Sequence, residues 1–203
     1  SKEELLDYVR KKQPPSLEPS LEKFIVVKGD KGIYSKISSM VRDAKHQLSV
    51  VTTVPSLVQA DRFGVLDAVF NHPLKSQIEY RFLTELSEQN LGAFKGLAKR
   101  IPKAGFNFEA RNPVLGLKLF PRMVIRDNEE ILFFTTPRMD MTGKNEVCLW
   151  TNCKSLGQTF TTVFEDLWRN STDVQEKIAK TKTGKLTPSI AFSADAKTFE
   201  AIY

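Results

Sequence analysis

Few residues in this chain have the chemistry of a catalyst. The two histidines, His46 and His72, stand near the end of one helical pattern and just before a proline. Neither falls at the end of a predicted strand, so capping and surface roles fit both. The two cysteines, Cys148 and Cys153, are five residues apart. That is too few for a disulfide framework or a tetrahedral zinc set, and C-x4-C is not a redox pair. Both read as free thiols, buried or half-buried, in a reducing compartment. Glu129 and Glu130 are adjacent in a polar turn and read as solvated. The sequence has no G-x-S-x-G, P-loop, G-x-G-x-x-G or metal-ligand cluster, so neither a metal nor a cofactor is expected. What is left is cationic. Arg81, Arg111 and Arg122 carry planar forks suited to phosphate or carboxylate, and Arg122 belongs to the spacing Phe120-x-Arg122-x4-Asp127.

That spacing lies in the stretch around which the chain is organised, two β-prone apolar runs between Leu117 and Thr136 joined by Asp127-Asn128-Glu129-Glu130, a β-hairpin pattern. Ahead of it, Leu5, Leu6 and Val9 suggest a short helix, and Pro14, Pro15 and Pro19 a linker. Phe24–Val27 reads as a strand. Asp30 then caps a helix with a one-face stripe of Ile33, Ile37, Met40, Val41 and Ala44. Leu48–Thr53 is the next strand, followed by a looser helical pattern weakened at Gly64. Gln77–Leu83 alternates Ile78, Tyr80 and Phe82 against Glu79 and Arg81, a strand with one more polar face. A helix over Leu91–Ile101, a strand at Phe106–Glu109, a strand at Glu146–Trp150 and an amphipathic helix from Leu156 to Trp168 complete the pattern.

The alternation predicts an α/β fold, a mixed and mostly parallel sheet flanked by helices on both faces. Residues 1–22 form a connecting helix and Pro-rich linker, 23–180 the domain, and 181–203 a polar tail. Such sheets bind ligands beyond the carboxyl ends of their strands. The polar groups assigned to that rim are Thr53, Arg81, Arg111, Arg122, Trp150 and Asn152, which form the candidate ligand-binding set. Trp150 suits a core position as well as a stacking platform, and Trp168 is read as core.

Composition narrows the class. With 41% hydrophobic and 27% charged residues the 203-residue chain fits an ordinary globular domain. No apolar run approaches the ~18–20 residues that span a bilayer, and the charged N-terminus lacks a signal-peptide core. A cytoplasmic location is expected, with no membrane partner. A start at Ser1 rather than Met reads as an excised piece of something longer. The net charge of +6 favours anionic partners, but the basic residues are spread out, as on a solvated surface.

The hairpin spacing resembles the H-x-K-x4-D signature of the phospholipase D superfamily, with Phe120 at the histidine position, Arg122 at the lysine position and Asp127 retained. Phenylalanine cannot form and release a covalent bond, so the resemblance implies architecture without activity, although Arg122 keeps a charge for an oxyanion. More broadly, FIVVKGDKGIYSKISSMVRDAKHQLSVVTT, YRFLTEL, NFEAR, MVIRDNEEILFF and EVCLWTN…FEDLWRNS resemble the phospholipase D-like effector domain of archaeal TrmB-type transcriptional regulators. That family joins a DNA-binding winged helix to a dimerising segment and a small-molecule sensor. Nothing before residue 24 could form a winged helix, so DNA contact is expected only through a part outside this sequence.

The resemblance thus implies a catalytically inactive sensor and homodimer that binds a sugar or an anionic metabolite at the rim. The N-terminal stub and the closing helix are the expected dimer contacts. Two other classes fit the same residues: a residual phosphodiesterase, and a basic module that binds nucleic acid or protein.

Overall fold

The computed structural model describes residues 21–101, 105–113, 122–135, 146–174 and 178. The expected helix and linker within residues 1–20, Phe120, and the tail beyond 180 lie outside them. The strands are β1 (Phe24–Lys28), β2 (Gln47–Thr53), β3 (Glu79–Glu85), β4 (Asn107–Pro113), β5 (Met123–Arg126), β6 (Glu130–Phe134), β7 (Val147–Thr151) and β8 (Ser171–Asp173). The helices are α1 (Gly29–Asp43), α2 (Val54–Arg62), α3 (Val65–Phe70), α4 (Glu88–Ala98) and α5 (Lys154–Arg169). The eight strands of the described residues form one sheet, in the order β1-β7-β6-β5-β2-β3-β4-β8.

The mixed sheet with helices on both faces is as expected, but it is mostly antiparallel rather than mostly parallel. Among the described residues only β2–β3 and β3–β4 are parallel; the other five pairings are antiparallel. Two causes account for this. The β5–β6 connection is too short for a crossover, and β1, despite leading into α1 and β2, crosses to the far edge and pairs with β7. The looser helical pattern after β2 is two helices, because Gly64 takes a left-handed φ of 75° between α2 and α3.

Side-chain alternation divides the core between the two faces of the sheet. Leu48, Tyr80, Phe82 and Leu132 meet Ile33, Met40 and Val41 of α1 on one face. Val51, Leu83, Met123, Ile125 and Ile131 meet Phe164 and Trp168 of α5 on the other. The α1 stripe read from sequence is buried as predicted: Ile33, Ile37, Met40, Val41 and Ala44 are all core. The polar face of β3, however, does not meet water. It lies under α5, and Arg81 is buried there.

The β5–β6 hairpin is the hub. Asp127 and Asn128 both have positive φ, 51° and 60°, and Glu129 N–H donates to the Arg126 carbonyl at 3.0 Å, as in a type I′ turn. Helix α5 docks on this turn through Gly157. A Cβ at that position would come within 2.7 Å of the Asn128 carbonyl oxygen, while Thr161 Oγ1 donates to Asn128 Oδ1 at 3.1 Å. Gly157→Ala is therefore expected to push α5 off the turn and to cost about 1–3 kcal/mol, measurable as a lower urea midpoint. An unchanged midpoint would show that the helix slides freely.

Candidate functional site

Strands β1, β2, β3, β4 and β6 end at the same rim of the sheet, and β5 and β7, running the other way, begin there. Helices α1, α2 and α4 each begin at this rim, after strands that end there, and the first two flank one site. Gly29 N–H of α1 donates to the Glu146 carbonyl at 2.9 Å. Thr53 caps α2, its Oγ1 accepting from Ser56 N–H at 3.3 Å and lying 2.9 Å from Ser56 Oγ. Between them sits Arg122. Its Nη1 donates to Glu146 Oε1 at 2.6 Å and lies 3.3 Å from Ser56 Oγ, and its guanidinium is 4.3 Å from the Phe134 ring centroid. Both Arg122 and Glu146 are buried, so the cation at the signature position is neutralised inside the protein.

The six residues assigned to the rim from sequence do not converge. Thr53 and Arg122 are there. Arg81 and Arg111 are brought together on the α5 face: Arg81 Nη2 donates to Glu165 Oε1 at 2.6 Å, Arg111 Nε donates to Glu109 Oε1 at 2.7 Å, and both guanidiniums stack on Trp168. Trp150 is buried on the opposite face, where its indole N–H donates to Glu130 Oε1 at 2.5 Å and Lys36 Nζ sits 3.5 Å above its ring. Asn152 lies past the far end of β7, where Oδ1 accepts from Lys23 N–H at 2.7 Å. The physical reason is direction. β7 runs antiparallel to β2, so its carboxyl end, with Trp150 and Asn152, faces away from the rim.

Several other sequence readings change as well. Glu130 is not solvated. It is buried and accepts from Trp150 and Arg126, with Lys36 Nζ at 3.4 Å. His72 is buried rather than on the surface; its Nδ1 accepts from Leu74 N–H at 3.0 Å and its Nε2 lies 3.1 Å from the Arg42 carbonyl, so it ties down the turn after α3. Asp127 is a clasp, accepting backbone N–H bonds from Lys45, His46 and Gln47 at 2.8–3.0 Å. Sequence reasoning missed Ser56, Glu146 and Glu165. Glu146 and Glu165 carry no local signal, because each acquires its role from a partner at least 24 residues away, whereas Ser56 stands three residues after Thr53 in a capping spacing that could have marked it.

Both cysteines are buried free thiols, as expected. Burial, with Glu146 nearby and only partly offset by Arg122, pushes the Cys148 thiol up to about 12. Cys148 is therefore expected to resist iodoacetamide at pH 8 until the protein is unfolded, a difference mass spectrometry would read directly; rapid native labelling would mean that β7 opens. Two apolar cavities of about 40 Å³ each lie between the sheet and its four-helix face. One is lined by Tyr34, Leu57, Val65 and Phe134, the other by Phe70, Phe94, Leu97 and Phe106. Neither is lined by any of the arginines. Among the described residues no group of three or more His, Cys, Asp or Glu is placed to hold a metal, and no helix is long and apolar enough to cross a membrane.

No family model matches the chain, and no curated protein matches it. Solved structures do. TrmBL2, an archaeal chromatin protein with a novel mode of DNA binding, aligns at TM-score 0.55 and 21% identity over 85% of this chain and 61% of its own. NucT from Helicobacter pylori aligns at 0.53 and 10% identity, covering 75% of this chain and 99% of that one. Nuc from Salmonella typhimurium, a phospholipase D family member, aligns at 0.50 and 14% identity, covering 75% and 97%. The fold is therefore the phospholipase D-like α/β fold, and the likeness to a TrmB-type protein drawn from the sequence holds at the level of structure. The chain spans less than two thirds of the TrmBL2 chain it matches.

Proposed function

We propose that this chain is a non-catalytic phospholipase D-like sensor domain of an archaeal, cytoplasmic transcriptional regulator. It works as a homodimer, binds a small sugar or anionic metabolite at the rim around Thr53, and reaches DNA only through a winged helix outside this sequence. One observation carries the non-catalytic part. Arg122, at the position of the signature lysine, is buried against Glu146 at 2.6 Å. A cation already neutralised by a carboxylate offers little to a phosphoryl group, whose transfer depends on preorganised positive charge. Phenylalanine at position 120 supplies no nucleophile. The sensor part draws its support from the shared fold and from the N-termini of α1 and α2 at the rim, whose helix dipoles favour an anion.

Two assays test this reading. Turnover of bis(p-nitrophenyl) phosphate is expected to stay at background; hydrolysis that disappears in Arg122→Ala would overturn the non-catalytic assignment. Isothermal titration against a panel of sugars and sugar phosphates is expected to find a binder whose heat is lost in Thr53→Val. A panel with no binder would remove the sensor assignment.

A further inference from the structure

The two edges of the sheet are built differently. At one edge, β8 is three polar residues, Ser171, Thr172 and Asp173. Such a short, polar strand is a poor template for another chain. At the other edge β1 is five residues long, without proline or glycine, and its middle is apolar on both faces. Phe24 is 57% exposed, Ile25 45% and Val26 58%. Among the described residues no strand pairs with the outer side of β1, and large apolar side chains on such an edge mark a strand built to be covered.

The geometry points to a second copy of this chain as the cover, paired antiparallel along β1 about a twofold axis at Ile25. This rests on the dimeric part of the function proposed above and names its surface. Hydrogen-bond alternation sets which backbone groups are open. Gly29 N–H donates to the Glu146 carbonyl, and the β1–β7 register sets Ile25 against Trp150 and Val27 against Cys148. The odd-numbered residues therefore spend their N–H and C=O on β7, and Phe24, Val26 and Lys28 turn theirs outward.

A twofold pairing must set outward residues against outward residues, so its axis passes through one residue rather than between two. Centring it on Ile25 places Ile25 against Ile25, Phe24 against Val26, and Glu22 against Lys28. Each of the last two pairs occurs twice by symmetry. Opposed residues share a face, so Phe24 and Val26 of both copies join one apolar strip and the two acid–base pairs close its ends. Centring on Val26 instead sets Glu22 against Asp30 and Phe24 against Lys28. Centring on Phe24 sets Lys23 against Ile25 and Glu22 against Val26. Charge and hydrophobicity both select Ile25.

This register gives a test that an interface elsewhere would fail. Sedimentation velocity on the whole chain is expected to show a dimer that Val26→Lys weakens roughly tenfold or more. Glu22→Lys alone sets lysine against lysine, and Lys28→Glu alone sets glutamate against glutamate, so each single variant is expected to weaken self-association. Mixing the two variants restores both opposite-charge pairs, and the mixture is expected to dimerise like the wild type. Circular dichroism melts check that each variant is folded. A dimer indifferent to all three substitutions overturns the assignment to β1 and leaves the dimeric reading standing. A wild-type chain that stays monomeric overturns both, and would mean that the edge is capped within the chain or by a different protein.

Discussion

Glu146→Ala is expected to cost about 3–5 kcal/mol of folding stability. Arg122 and Glu146 are only 4% and 8% exposed and meet at 2.6 Å. Removing the carboxylate takes from the buried guanidinium the anion it meets at 2.6 Å, beside Ser56 and the Phe134 ring. A guanidinium keeps its charge when its partner is lost, so the cost falls on the fold. The pair itself contributes little beyond what apolar residues of similar volume would supply, since bringing two charges out of water offsets most of their attraction. Arg122→Met combined with Glu146→Leu is therefore expected to recover most of the loss. Urea denaturation of the wild type, the single variant and the double variant gives all three values. A cost below about 1 kcal/mol for Glu146→Ala would resemble an exposed ion pair. It would place Arg122 in contact with solvent and weaken the non-catalytic reading with it.

Local patterns in this sequence were legible wherever one segment decides its own structure. The 3.6-residue stripe of α1 needs no distant partner to be seen. Nor does the period-two alternation of β3, nor the polar turn at Asp127-Asn128 between two apolar runs. The sheet was less legible, because strand order is set by pairings that no local pattern encodes. Phe24–Lys28 looks like any strand about to enter a β-α-β unit, yet the neighbour that takes it is β7, more than a hundred residues on.

The site suffered most from this. Trp150 and Asn152 looked like rim residues only while β7 was assumed to run parallel to β2; reversing one strand moved both to the far end. Arg81 read as a ligand-seeking cation because its partner, Glu165 on α5, lies far along the chain, as does the Trp168 ring beneath Arg111, whose carboxylate partner Glu109 is only two residues away. Glu130 read as solvated because its donors, Trp150 and Lys36, come from other elements. A buried polar residue is recognised by what satisfies it, and that is a tertiary fact.

Asp127 is the case in which the signature and the structure part company most usefully, and Asp127→Ala is expected to cost about 2–4 kcal/mol. Its side chain is 7% exposed. It accepts N–H bonds from Lys45, His46 and Gln47 in the link between α1 and β2, and Arg126 Nη1 lies 3.2 Å away. One carboxylate thus clamps the β5–β6 turn to the segment that starts the central strand. Without it, three backbone donors lose their acceptor at the junction of two elements. Burial alone would raise this carboxyl, but the three backbone N–H groups and the Arg126 charge prevail and hold it below the ordinary carboxylate range. The sign of the pH dependence follows. A carboxyl with a depressed folded pKa contributes its full stabilisation above its unfolded value, about 3.9, and loses it as pH falls through the lower folded value. The stability gap between wild type and Asp127→Ala is thus expected to be constant from pH 7 to pH 5 and to narrow on acidification below about pH 4. Asp127→Asn, which keeps one acceptor oxygen without the charge, is expected to fall between the two. Urea midpoints across that range measure the effect. A gap that widens toward low pH would mean that the carboxyl is protonated in the native clasp, and the aspartate of the signature would then have to be sought as an acid rather than as a structural anchor.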